Sequence, residues 1–320
     1  MKRLTILFFF CLQIVSGQNY LSKNIRLMYN GPYSRLLSAK PAGQTGNEDT
    51  ISVRIAKAGG NVYFLDCVNG FGGGNVAASI GEEGILLVDD MYALLSGKLE
   101  ALLKSISDKP IRMIVNTHFH RDHIEGNKIF KTSSIIIAQE NVTKRLLKNN
   151  SASAPTIEMM PAITFADSLI INFNGEEIKI IHFPNGHTDG DAIAYFTRSK
   201  VLHLGDMFFF GMFPAVYAEG GGDIKQLIVS LEKILSLFPA DVHVIPGHGN
   251  LATMQDLADY VAMLKETVHI VESKIDKGEI LEQMKKEKVL SKYDALGDGG
   301  AQTTDQYLTM LYKLLFAGKK

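Results

Sequence analysis

The sequence predicts an α/β protein whose core is two β-sheets covered by helices. Two observations lead there. Short apolar runs bounded by glycine turns alternate with stretches of helical 3-4 spacing. That order of strands followed by helix occurs twice, once in each half of the chain, which suggests two sheets in one α/β body. A third observation, that five of the nine histidines fall inside three short motifs, marks where chemistry is to be sought.

In the first half, Ser52–Ala56, Val62–Val68, Val76–Ile80 and Ile85–Val88 read as a meander of strands. A helix is expected from Ser96 to Ile106, then a buried strand, Ile111–Val115, and a further helix over Gln139–Lys148. The second half offers strands at Leu169–Phe173, Ile178–Phe183, Ala192–Thr197 and Val201–Leu204. Ile224, Leu227, Ile228, Leu231, Ile234, Leu235 and Phe238 keep helical spacing, and Val242–Ile245 is another strand. The tail reads as a long amphipathic helix from Met254 to Lys277 and a second over Thr303–Phe316.

Composition narrows the function. With 320 residues the chain can bury a proper core unaided by disulfides. Its 33 basic and 34 acidic residues, with a pI of about 6.8, are unlike the basic footprint of a nucleic-acid binder. The N-terminus reads as a removable signal covering residues 1–17. Lys2 and Arg3 precede the apolar stretch Leu4–Val15, and Val15-Ser16-Gly17 supplies small residues for cleavage before Gln18. A membrane anchor needs about 20 apolar residues, more than this stretch has. A lipid attached at Cys11 would call for a small residue before it, where Phe8-Phe9-Phe10 stands. Export, to the periplasm or the exterior, is the expectation. Cleavage would leave Cys67 as the single cysteine, expected as a buried small hydrophobe. Residues 18–50 read as a polar lead-in, 51–252 as the main domain, and 253–320 as a helical extension packed on it.

The chemistry is concentrated in Thr117-His118-Phe119-His120-Arg121-Asp122-His123, where the strand Ile111–Val115 ends. Sites in α/β proteins commonly lie beyond the carboxyl ends of strands. His118 and His120 are two apart, so in extended chain they point the same way. Asp122 and His123 follow in what reads as a tight turn and can face a second point in the same pocket. Three later segments have the same form of apolar run, turn and ligand type: Pro184–Gly190 offers His187, Gly205-Asp206 offers Asp206, and Pro246-Gly247-His248-Gly249 offers His248. Glycine beside each allows close backbone approach to a metal. His182, His203 and His243 fall inside strands and read as core or partly exposed residues, and His269 as solvated.

The order His118-x-His120-x-Asp122-His123, then His187, Asp206 and His248, resembles the metallo-β-lactamase superfamily over residues 50–252. The resemblance implies a four-layer αβ/βα sandwich, two mixed sheets flanked by helices, with a dinuclear site at one edge. It implies that His118, His120 and His187 hold one metal and Asp122, His123 and His248 the other, with Asp206 bridging. Histidine at position 120 is similar to the hydrolytic zinc members, and imidazole-rich ligation favours two Zn2+, with other divalent metals open. Metals about 3.5–4 Å apart would hold a bridging hydroxide that attacks a carbonyl. Asp122, the expected catalytic residue, would accept its hydrogen bond.

The substrate is expected to be a small carbonyl compound. One lactamase subclass carries cysteine where Asp206 stands and a lysine three residues on, where this chain has Phe209. The bridging aspartate is similar instead to lactonases and to glyoxalase II-type thioesterases. Phe71, tip of the glycine-dense loop Asn69–Asn75, and the aromatics of Phe208–Val216, Phe209 among them, are expected to contact substrate. A β-lactamase-like hydrolase is the first reading. A phosphodiesterase is disfavoured by the neutral charge, since phosphate binding needs Lys or Arg, and a metal-binding accessory protein without turnover is the third class. The sequence carries no signal for oligomeric state.

Overall fold

The structure, a computed structural model, describes residues 50–71, 73–148 and 157–317. The expected signal and almost all of the lead-in lie outside the described residues. The chain begins with a meander, β1 (Ser52–Gly59), β2 (Val62–Val68), β3 (Val76–Gly81) and β4 (Gly84–Val88), each strand antiparallel to the last. It then turns to parallel pairing, which requires crossovers. α1 (Ser96–Lys104) leads to β5 (Ile111–Asn116), and the one-turn helices α2 (Arg121–Ile124) and α3 (Asn127–Phe130) lead to β6 (Ile135–Gln139). α4 (Glu140–Lys148) precedes β7 (Ile163–Phe165), the last strand of a seven-stranded sheet in sequential order.

The second sheet has six strands in the order β13-β12-β11-β10-β9-β8. β8 (Ser168–Phe173), β9 (Glu176–His182), β10 (Ala192–Phe196) and β11 (Val201–His203) form an antiparallel run. α5 (Ile224–Leu237) crosses over to β12 (His243–Ile245), parallel to β11, and β13 (Ala252–Thr253) closes that edge. Asp223 caps α5 by accepting from the backbone N–H of Lys225 and Gln226. α6 (Met254–Asp276) starts at a capping box in which Thr253 and Asp256 satisfy each other's backbone. α7 (Leu281–Lys286), α8 (Asp294–Gly297) and α9 (Thr304–Ala317) complete the chain.

Strand alternation sorts the apolar residues into layers. Leu86 and Val88 of β4 meet Ile178, Ile180, Ala194 and Phe196 of the second sheet, forming the inner core. Ile85 and Leu87, one residue out of step, face Leu99 and Leu103 of α1. On the far side, Ile193, Leu202 and Val244 pack under α5, α6 and α9. The result is the helix–sheet–sheet–helix sandwich expected from the sequence. Among the described residues no helix is long and apolar enough to cross a membrane.

Several local expectations are corrected. Gln139 ends β6, a strand not foreseen, and the helix starts one residue later at Glu140. β7, β13, α7 and α8 were not foreseen either; they are short, and β7 and β13 owe their form to strand partners already in place. Asp122 and His123 lie in the first turn of a helix rather than in a tight turn. Cys67 is half-buried, not buried, with Sγ 3.7 Å from Met91 Sδ.

Candidate metal centre

Chain segments leaving both sheets meet at one edge of the sandwich. The first sheet sends the segment after β5, carrying His118, His120, Asp122 and His123. The second sends the β9–β10 loop with His187, the turn after β11 with Asp206, and the turn after β12 with His248. All seven expected ligands come together. One potential donor atom from each of His118, His120, His187 and Asp206 lies within 4.8 Å of the others, and so do donor atoms of Asp122, His123 and His248.

Asp206 stands between the two groups and divides its oxygens. Oδ2 is 3.4 Å from His187 Nε2 and 3.7 Å from His118 Nε2. Oδ1 is 3.0 Å from His123 Nε2 and 3.4 Å from His248 Nε2. Asp122 Oδ2 completes the second group, 3.3 Å from His248 Nε2 and 3.6 Å from His123 Nε2. In the first group His120 presents Nδ1, 2.8 Å from His187 Nε2.

The ring nitrogens are oriented from behind. Asp89, fully buried at the end of β4, accepts from the Thr117 backbone N–H at 2.7 Å and from the Thr117 hydroxyl at 2.8 Å. It also accepts from His123 Nδ1 at 2.7 Å, which turns Nε2 of that ring toward Asp206 as the atom it would offer a cation. Thr117 Oγ1 in turn accepts from His118 Nδ1 at 3.0 Å. His187 Nδ1 donates to the Ala215 carbonyl at 2.5 Å, while Asp191 takes the backbone N–H of His187 and Thr188. Such outer partners fix the tautomer of a metal-ligating imidazole. His203, expected as a core histidine, is one, yet it also accepts the Gly205 N–H beside Asp206 and bonds the Asn75 carbonyl.

Two glycines let backbone approach the ligands. A Cβ at Gly74 would lie 2.1 Å from the His123 ring, and one at Gly247 would lie 2.0 Å from Asp206 Oδ1. Neither position admits a side chain without displacing a ligand.

Burial and charge act on the site in opposite directions. Burial, then the neighbouring histidines, keeps His118 far below the ordinary imidazole range. Burial, then His187, pulls His120 down to about 3. Both rings are therefore neutral and have a lone pair to give. Burial also disfavours charge on His123 and His248, but Asp206 and Asp122 outweigh it, holding His123 well up and His248 at about 9. Burial would raise the carboxylates, yet the same histidines hold Asp122 at about 2 and Asp206 far lower than usual.

The donor set fits a pair of cations. His118 Nε2, His123 Nε2 and Asp206 Oδ1 are buried atoms without a hydrogen-bond partner, and all three face the same small space. Buried polar atoms are ordinarily satisfied. Three orphans converging with further imidazole nitrogens and a carboxylate is what a site for divalent metal provides.

The site opens into a cavity of about 290 Å3. Phe71 and Phe209, the two expected substrate contacts, both line it and stack on His248 from centroids 5.5 and 5.3 Å away. The other aromatics of Phe208–Val216 do not all follow. Phe208 and Phe213 are buried in the helix-side core, Phe213 stacked on Tyr307, because the segment alternates between cavity and core. Sequence reasoning missed Asp89 and Asp191. Asp89 ends a strand beside the site, so the strand-end argument used for the histidines applied to it equally.

Comparison with known proteins agrees with this geometry. The family model described as the metallo-beta-lactamase superfamily matches residues 70–268. The linear primary-alkylsulfatase of Pseudomonas sp. (strain ATCC 19151) is 29% identical over 212 residues, 52% of this chain and 40% of that protein. The metallo-beta-lactamase type 2 of Elizabethkingia meningoseptica is 24% identical over 63% of this chain and 80% of its own length. A hydroxyacylglutathione hydrolase of Prochlorococcus marinus (strain MIT 9312) is 36% identical over 40% of this chain and 47% of its own. The chain thus spans less than half of the alkylsulfatase and of this hydroxyacylglutathione hydrolase. Among solved structures, the metallo-beta-lactamase from Pontibacter korlensis superposes with a TM-score of 0.56 at 18% identity, covering 67% of this chain and 99% of that one. With its sandwich, its seven converging candidate ligands and the family match over most of its described length, the chain belongs to the metallo-β-lactamase superfamily.

Proposed function

We propose that the protein is an exported dinuclear zinc hydrolase that adds water to a carbonyl group, β-lactamase-like in its chemistry. The observation that carries the reading is Asp206, whose two oxygens face two separate groups of ligand atoms at 3.0–3.7 Å. His118, His120 and His187 would hold one ion; Asp122, His123 and His248 would hold the other. Imidazole-rich ligation favours zinc on general grounds. Bound there, two cations supply the Lewis acidity that makes water nucleophilic at neutral pH and polarises a carbonyl oxygen.

The chain's own residues do the rest. Asp122 has a carboxylate at the mouth of the site, kept ionised by His123 and His248, and would accept a proton from the attacking water. Asp89 and Thr117 hold His123 and His118 with the free nitrogen forward. Phe71 and Phe209 flank His248 and exclude bulk water from that side. Export is supported by Lys2-Arg3, Leu4–Val15 and Val15-Ser16-Gly17.

The test is metal analysis of the purified protein together with turnover of nitrocefin, a homoserine lactone, lactoylglutathione, an alkyl sulfate and bis-p-nitrophenyl phosphate. Two zinc ions per chain and hydrolysis of a lactam, lactone or thioester are expected. Turnover of the phosphodiester or the alkyl sulfate alone would reject carbonyl chemistry. Two bound metals with no turnover would make the chain a metal-binding accessory. Determining the N-terminus of protein recovered outside the cytoplasm, expected at Gln18, tests export.

A further inference from the structure

The family match ends at residue 268, yet the cavity does not. Its far wall includes Gly300 and Ala301, from the segment between α8 and α9. That segment is seated firmly on the loop after Asp206. Gln302, buried, donates from Nε2 to the Pro214 carbonyl at 2.5 Å and lies 3.4 Å from Met310 Sδ. Gly299 presses so close that a Cβ there would lie 2.4 Å from the Gly211 carbonyl oxygen. Met212, Ala215 and Tyr217 of the loop and Ala301 of the segment then line the same cavity as Asp122 and Asp206. Among the described residues lining it, no Lys or Arg is present. A carboxylate, sulfate or phosphate on the part of a substrate against Met212, Ala215, Tyr217 and Ala301 would find no Lys or Arg there to pair with.

We infer that residues 299–302 complete an acyl-binding wall, and that the site takes an uncharged ester, lactone or thioester whose acyl chain is apolar. This rests on the hydrolase reading above. The cavity of about 290 Å3 bounds how much of an acyl chain the site can enclose. Ala301, exposed at the mouth, sets how far the chain reaches.

The experiment measures binding of linear alkyl hydroxamates, from acetohydroxamate to octanohydroxamate, to the zinc-loaded full chain by calorimetry. The hydroxamate engages the metals and the alkyl chain reports on the wall. Affinity is expected to rise about fourfold per methylene until the cavity is full, from ~0.8 kcal/mol per buried CH2 taken at about 1.4 kcal/mol per tenfold. Adipic acid monohydroxamate, which ends in a carboxylate, should bind at least about tenfold more weakly than hexanohydroxamate. Ala301→Phe, which narrows the mouth, and Gln302→Ala, which frees the segment, should each flatten the dependence on chain length. Absence of binding across the series, affinity indifferent to chain length, equal binding of the carboxylate probe, or an unaltered slope in both variants overturns the wall. Matching p-nitrophenyl esters and acyl thioesters are assayed in parallel. If the hydroxamates behave as expected and none of these is hydrolysed, the hydrolase reading fails and the wall stands.

Discussion

Asp89→Asn isolates what the outer carboxylate does. Asp89 has a left-handed backbone (φ 63°), which asparagine tolerates well, so the change is chemical rather than conformational. The aspartate accepts three hydrogen bonds, from the Thr117 N–H, the Thr117 hydroxyl and His123 Nδ1. An asparagine can keep the first with its carbonyl. Its NH2 group then replaces Oδ2 and confronts both remaining donors. In that orientation His123 accommodates it by becoming an acceptor at Nδ1, which moves its proton to Nε2, the atom 3.0 Å from Asp206 Oδ1; the flipped amide would keep the His123 bond and set its NH2 against the Thr117 N–H instead. A protonated Nε2 cannot ligate a cation. Loss of such an outer partner typically costs 10–100-fold in metal affinity, about 1.4–2.7 kcal/mol. A tautomer error behind a catalytic histidine can cost about 10^4 in turnover in another enzyme class. Competition of the variant with a chromophoric zinc chelator should therefore show one site near wild type and the His123 site weakened at least about tenfold. Two sites of unchanged affinity would refute the argument that Asp89 sets the tautomer.

Other substitutions test other links. His120→Ala should lower zinc from two ions to about one per chain and remove nearly all hydrolysis with the fold retained by circular dichroism; unchanged metal content would show the ligand set to be wrong. Asp206→Cys should keep two metals, by elemental analysis, while shifting the order of preference across the substrate panel. Phe196→Ala empties a fully buried position between the sheets and should cost ~3–5 kcal/mol in urea unfolding. In metal-free protein His248 is held at about 9, above its unfolded value near 6.5. A raised basic group stabilises the fold fully below about 6.5 and loses that contribution as pH rises through 9. Unfolding midpoints of chelator-treated protein should fall by an amount equivalent to a few kcal/mol across that window, and a rise would contradict the assignment.

The sequence was most readable where local pattern and burial coincide. β2 is legible residue for residue because both of its neighbours are turns, and the seven candidate ligands are legible because each follows an apolar run that had to be a strand. Less was visible where partners decide. Ile135-Ile136-Ile137-Ala138 is too short a run to declare its state, and it became β6 by pairing with β5 and β7. Phe208 and Phe209 are identical neighbours in sequence; only the placement of α6 sends one into the core against Tyr260 and the other over His248. Gln302 carries no motif at all, since its importance lies in a carbonyl 88 residues away.

Each proposed ion would draw ligands from both sheets, two from the segment after β5 and, with Asp206 shared, two from turns of the opposite sheet. The cations would then rivet the two halves of the sandwich together, and the halves could part only by releasing them. At free zinc a thousandfold above the dissociation constant, one such rivet adds about 4 kcal/mol to resistance against unfolding. Durability of the fold would then follow the free zinc of the surroundings, and a chelator would lower the unfolding midpoint as well as the activity.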